Sequence, residues 1–185
     1  LTLVRPFDDP EVIAGQGTVG LEIAEDTAAI GVETAQVLVC CGGGGLTAGI
    51  ALALEARAPG LTVRPVEPAG FDDVARSLAA HRIVTGAHPS GSICDAILTP
   101  APGELTFTIM DRLCGPGLIV SDDEAMAAMA LAFRHLKIVL EPGGAVALAA
   151  ALFRPETLTG EAVIAVATGG NVDSPLFARA LETLE

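Results

Sequence analysis

Residues 36–50 read Gln-Val-Leu-Val-Cys-Cys-Gly-Gly-Gly-Gly-Leu-Thr-Ala-Gly-Ile. Four consecutive glycines, Gly42 to Gly45, thus sit between an apolar strand-like run and an apolar helix-like run. Glycine lets a backbone turn sharply with its amides bare. A strand that breaks into such a turn before a helix aims several N–H groups and the positive end of the helix dipole at one place. A phosphate suits that place. A nucleoside-triphosphate loop would need Lys then Ser or Thr after the last glycine, where this chain has Leu46-Thr47. A dinucleotide fold fits better: Gly43-x-Gly45-x-x-Ala48 matches its relaxed fingerprint, and Glu67 lies where a ribose-binding acid would. A tight turn with no ligand is the third reading.

The elements that must position the glycines follow from apolar periodicity and from turn residues. Pro10 to Gly31 reads as a helix, although Gly15, Gly17 and Gly20 lower its propensity. Gln36–Cys40 and Leu61–Val66 read as buried strands, with a helix over Leu46–Ala58 ended by Pro59-Gly60. A short helix spans Asp72–Ala80. Residues 81–103 form a long loop with a strand near Ala96–Leu98. A helix covers Glu104–Leu113 and a strand Leu118–Val120. Ser121-Asp-Asp-Glu124 is a capping box opening a helix to about Leu136. Gly144–Phe153 is a second apolar helix, Ala162–Ala167 a buried strand and Pro175–Leu184 a closing helix. Apolar strands alternating with helices predict the α/β class: a parallel sheet flanked by helices on both faces.

Composition narrows the partners. The chain has 185 residues, is 51% hydrophobic and only 3% aromatic, so its core is aliphatic. A net charge of −13 with ten Lys and Arg argues against nucleic acid and against an anionic membrane surface. No apolar run approaches the ~18 residues of a membrane span, and a cytoplasmic location is expected. Cys40, Cys41, Cys94 and Cys114 lack metal-ligand spacing and read as reduced and mostly buried. His81, His88 and His135 also lack such spacing and read as surface or structural residues.

Four further segments occur in order with the glycine run: Val4-Arg-Pro-Phe-Asp-Asp9, Ala14-Gly-Gln-Gly-Thr-Val-Gly-Leu-Glu22, Glu141-Pro-Gly-Gly-Ala145 and Thr168-Gly-Gly-Asn-Val-Asp173. Together they resemble the threonine/serine dehydratase and serine racemase family of pyridoxal-phosphate enzymes, of fold type II. The resemblance covers the chain from Val4 to its end. It implies that backbone amides of Gly42, Gly43, Gly44, Gly45 and Leu46 hold the cofactor phosphate. Thr168 matches the hydroxyl residue that hydrogen-bonds the pyridine nitrogen. A neutral hydroxyl makes the ring a weaker electron sink than a carboxylate would, which favours β-elimination. Glu141 would lie near the ring, or else stabilise its turn. Glu67, Phe71 and Asp73 match a divalent-cation site, suited to Mg²⁺ or Ca²⁺, that part of the family carries. The competing reading of that segment is a helix start whose acids face the dipole. In Ser92-Ile-Cys-Asp-Ala96, Ala96 stands where relatives usually have glycine, which leaves substrate preference open.

The resemblance also requires a lysine that carries the cofactor and acts as base at Cα. The sole lysine, Lys137, sits late in a predicted helix and reads as a solvated C-terminal charge. The expectation is that residues 1–185 are the C-terminal part of a large cofactor-binding domain. The smaller domain and the lysine segment would lie before Leu1, and this chain alone would be inactive. For the complete enzyme the resemblance implies deamination of a small-molecule amino-acid substrate: L-threonine to 2-oxobutanoate, or L-serine to pyruvate, with ammonia. The last motif lies close to Glu185, so a form without a C-terminal regulatory domain is expected. A homodimer is implied as well. A racemase or hydroxyaspartate dehydratase would share every motif, and a nicotinamide-dinucleotide domain uses the same glycines and Glu67.

Overall fold

The computed structural model describes residues 5–87 and 90–184; Val4 and His88 lie outside the described residues. The elements in chain order are α1 (Pro10–Ile30), β1 (Ala35–Cys40), α2 (Gly45–Arg57), β2 (Leu61–Pro68), α3 (Asp73–Ala80), α4 (Glu104–Leu113), β3 (Leu118–Val120), α5 (Asp122–Leu131), α6 (Pro142–Phe153), β4 (Ala162–Ala165) and α7 (Ser174–Glu182). The four strands form one parallel sheet in the order β3-β2-β1-β4. Strand β1 pairs with both β2 and β4, with Ala35 opposite Leu61 on one side and Ala162 on the other.

Alternation along β1 divides the core. Val37 and Val39 face a layer containing Ile50, Ala51 and Leu54 of α2 and Ala24 of α1. Leu38 and Cys40 face the opposite layer, built from the alanine-rich faces of α5 and α6 with Ala180 of α7. Helix α6 is apolar on all sides and largely buried, as a helix covered all round must be. The expected α/β architecture, a parallel sheet with helices on both faces, is the one observed. No described helix is long and apolar enough to cross a membrane.

Local chemistry sets the element ends. Asp9 caps α1, its carboxylate accepting from the amides of Glu11 (2.9 Å) and Val12 (3.4 Å), with Pro10 at the first helical position. The Ser121 capping box forms as its spacing predicts: Ser121 Oγ accepts from the Glu124 amide, and the Glu124 carboxylate accepts from the Ser121 amide at 2.7 Å. Glu124 also pairs with Arg154 at the end of α6, tying α5 to α6.

Three expectations need revision. The segment near Ala96–Leu98 is not a strand. Asp95–Ile97 makes a single 3₁₀ turn closed by the Ile97 amide on Cys94 O (3.0 Å), and it lies against the glycine run rather than in the sheet. The α-helix expected to reach Leu136 ends at Leu131 and continues as one π turn, Ala132–Leu136. Lys137 closes it in the left-handed conformation, φ 62°. Strand β4 is shorter than expected and only partly buried, because it is an edge strand whose Val163 is 41% exposed.

The glycines of α1 have a packing reason. A Cβ on Gly20 would lie 2.8 Å from Ile50 O and from Ala53 Cβ, and one on Gly17 3.1 Å from Gly49 O. Gly49 in turn faces the carbonyl of Ile13 so closely that a Cβ would overlap it. Helices α1 and α2 therefore cross backbone to backbone, and the lost helix propensity is offset by that contact. Gly15 has nothing within 4 Å of its missing Cβ. Gly49→Ala is expected to destabilise by about 1–3 kcal/mol through overpacking. Gly15→Ala should instead be neutral or stabilising by up to ~1 kcal/mol. Urea unfolding of the two variants checks this; equal effects would remove the close-crossing explanation.

Candidate active site

The glycine run leaves β1 at the carboxyl end of the parallel sheet, where ligands of open α/β sheets collect. Its turn is made possible at Gly44, which adopts φ 92°. A side chain there would also meet Met110 Cε at 2.6 Å, and one on Gly43 would overlap the Phe7 ring. The amides of Gly42, Gly43 and Gly44 donate to no acceptor among the described residues. Free amides at the start of a helix make an anion cup. Helix α2, thirteen residues from Gly45, adds its dipole.

A cavity of about 390 Å³ opens over this cup. Gly42, Gly43, Gly44, Gly45 and Leu46 line it, as do Phe7, Cys40 and the Ala96–Ile97 turn. No carboxylate among the described residues lines it. The turn packs closely on the cup: a Cβ on Gly42 would sit 3.1 Å from Ile97 O, so a side chain there would press the turn outward. A slightly larger hollow of about 420 Å³, lined by His81, Asp111 and Cys114 among others, lies between α3 and α4 and contains none of these amides. His81 there shares a hydrogen bond of 2.9 Å with Asp111 on the surface, and is not part of a metal cluster.

Thr168 stands beyond Cys40. Its Oγ1 lies 3.2 Å from Cys40 Sγ, and Cys40 lines the cavity. Burial is the main reason the Cys40 thiol is raised above its ordinary value, and the nearby Glu141 carboxylate adds to it against the Thr168 hydrogen bond. The Thr168 loop presses on α6: the Thr168 amide donates to Gly144 O (3.3 Å), and any side chain on Gly144 would overlap Thr168 O. Glu141, just before α6, closes the same contact. Its amide donates to Gly169 O (3.0 Å) and its carboxylate accepts from the Asn171 amide (3.1 Å). The glycine run, Thr168 and Glu141 thus come together around Cys40. Phe7, Asp8 and Thr106 join them without having been singled out by residue type. Phe7 and Asp8 belong to the Val4–Asp9 family segment, whereas nothing in the sequence distinguishes Thr106 from any other polar residue in a first helical turn.

Glu67 and Asp73 form a separate acidic site at the end of β2. Both are buried, and Glu67 is 1% exposed. The two Glu67 oxygens accept from the amides of Val74 (2.9 Å) and Ala75 (2.7 Å). Glu67 is thus the cap of α3, reaching it from the strand, while Asp72 at the N-cap position makes no side-chain cap. Burial pushes Glu67 up to about 8, against the two amide bonds that hold it down. Burial likewise raises Asp73 to about 6. Asp73 Oδ2 is buried without a partner among the described residues. Phe71 is buried beside them, its amide donating to Pro68 O (3.0 Å). Among the described residues no three His, Cys, Asp or Glu side chains gather as a metal site. With its carboxylate turned onto α3, Glu67 is not presented to a ribose.

The chain belongs to a family of enzymes. The model of pyridoxal-phosphate dependent enzymes matches residues 1–169. The beta-hydroxyaspartate dehydratase of Paracoccus denitrificans (strain Pd 1222) is 38% identical over 170 residues, 92% of this chain and 52% of that protein. The catabolic L-threonine dehydratase TdcB of Escherichia coli (strain K12) is 36% identical over 172 residues, 92% of this chain and 51% of that protein. The solved structure of maize serine racemase superposes with a TM-score of 0.84 at 32% identity, covering 99% of this chain and 55% of that one. The chain spans about half the length of the curated relatives it matches. Membership implies pyridoxal phosphate as cofactor, and the bare, acid-free cup fits its phosphate.

The raised Glu67 carboxyl gives a pH signature. The folded chain holds this proton more tightly than the unfolded chain, so its contribution is complete below the ordinary value of 4.5. It is lost as pH rises through about 8. In chelator, stability should decline across that window by at most ~1.4 kcal/mol per pH unit from this group. Glu67→Gln, lacking the proton, should show a shallower decline in denaturant titrations run at several pH values between about 5 and about 8. Parallel slopes for variant and wild type would disprove the assignment.

Proposed function

We propose that the complete enzyme containing this chain is a pyridoxal-phosphate-dependent dehydratase of hydroxy-amino acids. L-Threonine would give 2-oxobutanoate and ammonia, and L-serine pyruvate and ammonia. The observation that carries this reading is the cup of unpartnered glycine amides, with a neutral hydroxyl, Thr168, held 3.2 Å from the sulfur of Cys40, which lines the cavity. The amides of Gly42 to Gly45 and of Leu46 would hold the phosphate, with the α2 dipole behind them. Thr168 Oγ1 would hydrogen-bond the pyridine nitrogen, and as a neutral hydroxyl beside the Cys40 thiol it would not hold a proton there as a carboxylate would. Glu141, fixed by Gly169 and Asn171, would border the ring. Phe7 closes the cup over Gly43. When bound, pyridoxal phosphate would supply the electron sink that makes loss of the α-proton and of the β-hydroxyl possible, with ammonia released on hydrolysis of the product.

The base that takes the α-proton belongs to residues outside this chain. Lys137 does not line the cavity, and its Nζ donates to Arg134 O (2.8 Å) at the exposed end of the π turn. Residues 1–185 are accordingly proposed as the C-terminal part of a large domain. A hydroxyaspartate dehydratase is the second reading, supported by the Paracoccus relative. The test is turnover of L-threonine, L-serine and hydroxyaspartate by the full-length enzyme, with its visible spectrum before and after borohydride. A lysine-bound pyridoxal band lost together with activity is expected, and the isolated 185-residue chain should turn over none of the three. Tight NAD binding without such a band would overturn the reading.

Divalent-cation binding at Glu67, Phe71 and Asp73 forms part of the same proposal. The orphaned Asp73 Oδ2 supports it, and the use of both Glu67 oxygens as an α3 cap weighs against it. Millimolar-range Mg²⁺ or Ca²⁺ should raise the melting temperature of the full-length enzyme by stabilising the bound state. Asp73→Asn should abolish the rise. An unshifted wild-type melting curve with either cation would rule the site out.

A further inference from the structure

The Gly43 carbonyl is held by two donors from the first turn of α4. The Gly103 amide donates to it at 3.2 Å and the Thr106 hydroxyl at 2.7 Å. Thr106 is fully buried, and its alternative acceptor, Gly103 O, is farther away at 3.2 Å. That turn is itself fixed from outside the helix. Asp8 Oδ1 accepts from the amides of Leu105 (2.9 Å) and Thr106 (3.3 Å), supplying the cap that Gly103 cannot. Asp8 directly follows Phe7, whose ring covers Gly43.

We infer that Thr106 is a positioning residue for the phosphate cup, and that Asp8 acts through it. The Gly43 carbonyl and the Gly44 N–H belong to one planar trans peptide, so they point in opposite directions. Fastening the carbonyl to α4 aims the Gly44 amide away from α4, and Gly44 lines the cavity. Without the hydroxyl, the left-handed Gly44 turn keeps one restraint instead of two. The amide then samples orientations that do not face an anion, and the cup must be ordered at each binding event. The inference rests on the assignment of the cup to the cofactor phosphate. It goes further in making phosphate affinity depend on a side chain that does not touch the ligand.

The test compares two probes on full-length apoenzyme: pyridoxal phosphate, and pyridoxal, which lacks the phosphate. Thr106→Val keeps the shape and removes the donor. It should weaken pyridoxal phosphate on the order of fivefold to tenfold, the scale of one hydrogen bond, and leave pyridoxal within about twofold. Thr106→Ser, which retains the hydroxyl, should restore pyridoxal phosphate affinity to within about twofold of wild type. Unchanged pyridoxal phosphate affinity in Thr106→Val would overturn the inference. So would an equal loss for both probes, which is what general loosening of the fold produces. Should Thr106→Val not fold, Asp8→Ala decides by the same two titrations. A selective loss of roughly threefold for pyridoxal phosphate supports the relay, and no selective loss overturns it. Wild-type enzyme that bound neither pyridoxal phosphate nor inorganic phosphate would instead bring down the cup assignment itself.

Discussion

Strand β1 is hydrogen-bonded on both sides, to β2 from Ala35 to Cys40 and to β4 from Ala35 to Leu38. The parallel register carries past the strand ends, with the Cys41 amide on Val66 O (3.0 Å) and the Val166 amide on Leu38 O (2.9 Å). Because all strands run the same way, their exits fall on one edge. The exit of β1 supplies the glycine cup, that of β2 supplies Glu67, and that of β4 supplies Thr168. A slip of one residue in the ladder between β1 and β4 would turn one strand's side chains to the other face and part Cys40 from Thr168. The candidate site is a consequence of this register before it is a consequence of any side chain.

Around that edge, small residues do the assembling. Gly42 admits the Ala96–Ile97 turn, Gly144 admits the Thr168 loop, and Gly43 admits Phe7. Each contact brings a segment distant in sequence to within van der Waals range of a backbone, so the cavity is walled largely by main chain and short side chains. A chain with few aromatics and many alanines can close such a cavity, because little bulk has to be accommodated between the layers.

Much of this was legible beforehand. Apolar runs and capping residues marked nearly every helix and strand, and the Ser121 box formed as spelled. The family segments marked Gly42 to Leu46, Thr168 and Glu141, and the fold brings all of them around Cys40. What stayed hidden depends on partners far along the chain. Glu67 caps a helix seven residues on, a geometry that no local capping pattern encodes. Ala96–Leu98 has the composition of a strand, but its neighbours are Gly42 and Gly143 rather than a free sheet edge. Thr106 looks like any polar residue in a first helical turn until its acceptor, sixty-three residues away, is known. The glycines of α1 weakened the helix by propensity and became intelligible only with α2 alongside.

That crossing of α1 and α2 has a consequence for recognition. With Gly17, Gly20 and Gly49 at the crossing, α2 packs on α1 with only the Ala53 methyl between Gly20 and the α2 backbone, which leaves little room to roll or slide. The helix that begins in the cup is therefore held close against α1, with the positive end of its dipole at the glycine run. The conformational entropy of arranging the amides is lost when the chain folds, not when a ligand arrives. Such a receptor discriminates by shape already in place: it should favour rigid tetrahedral anions of one size and gain little from ligands that would need it to yield.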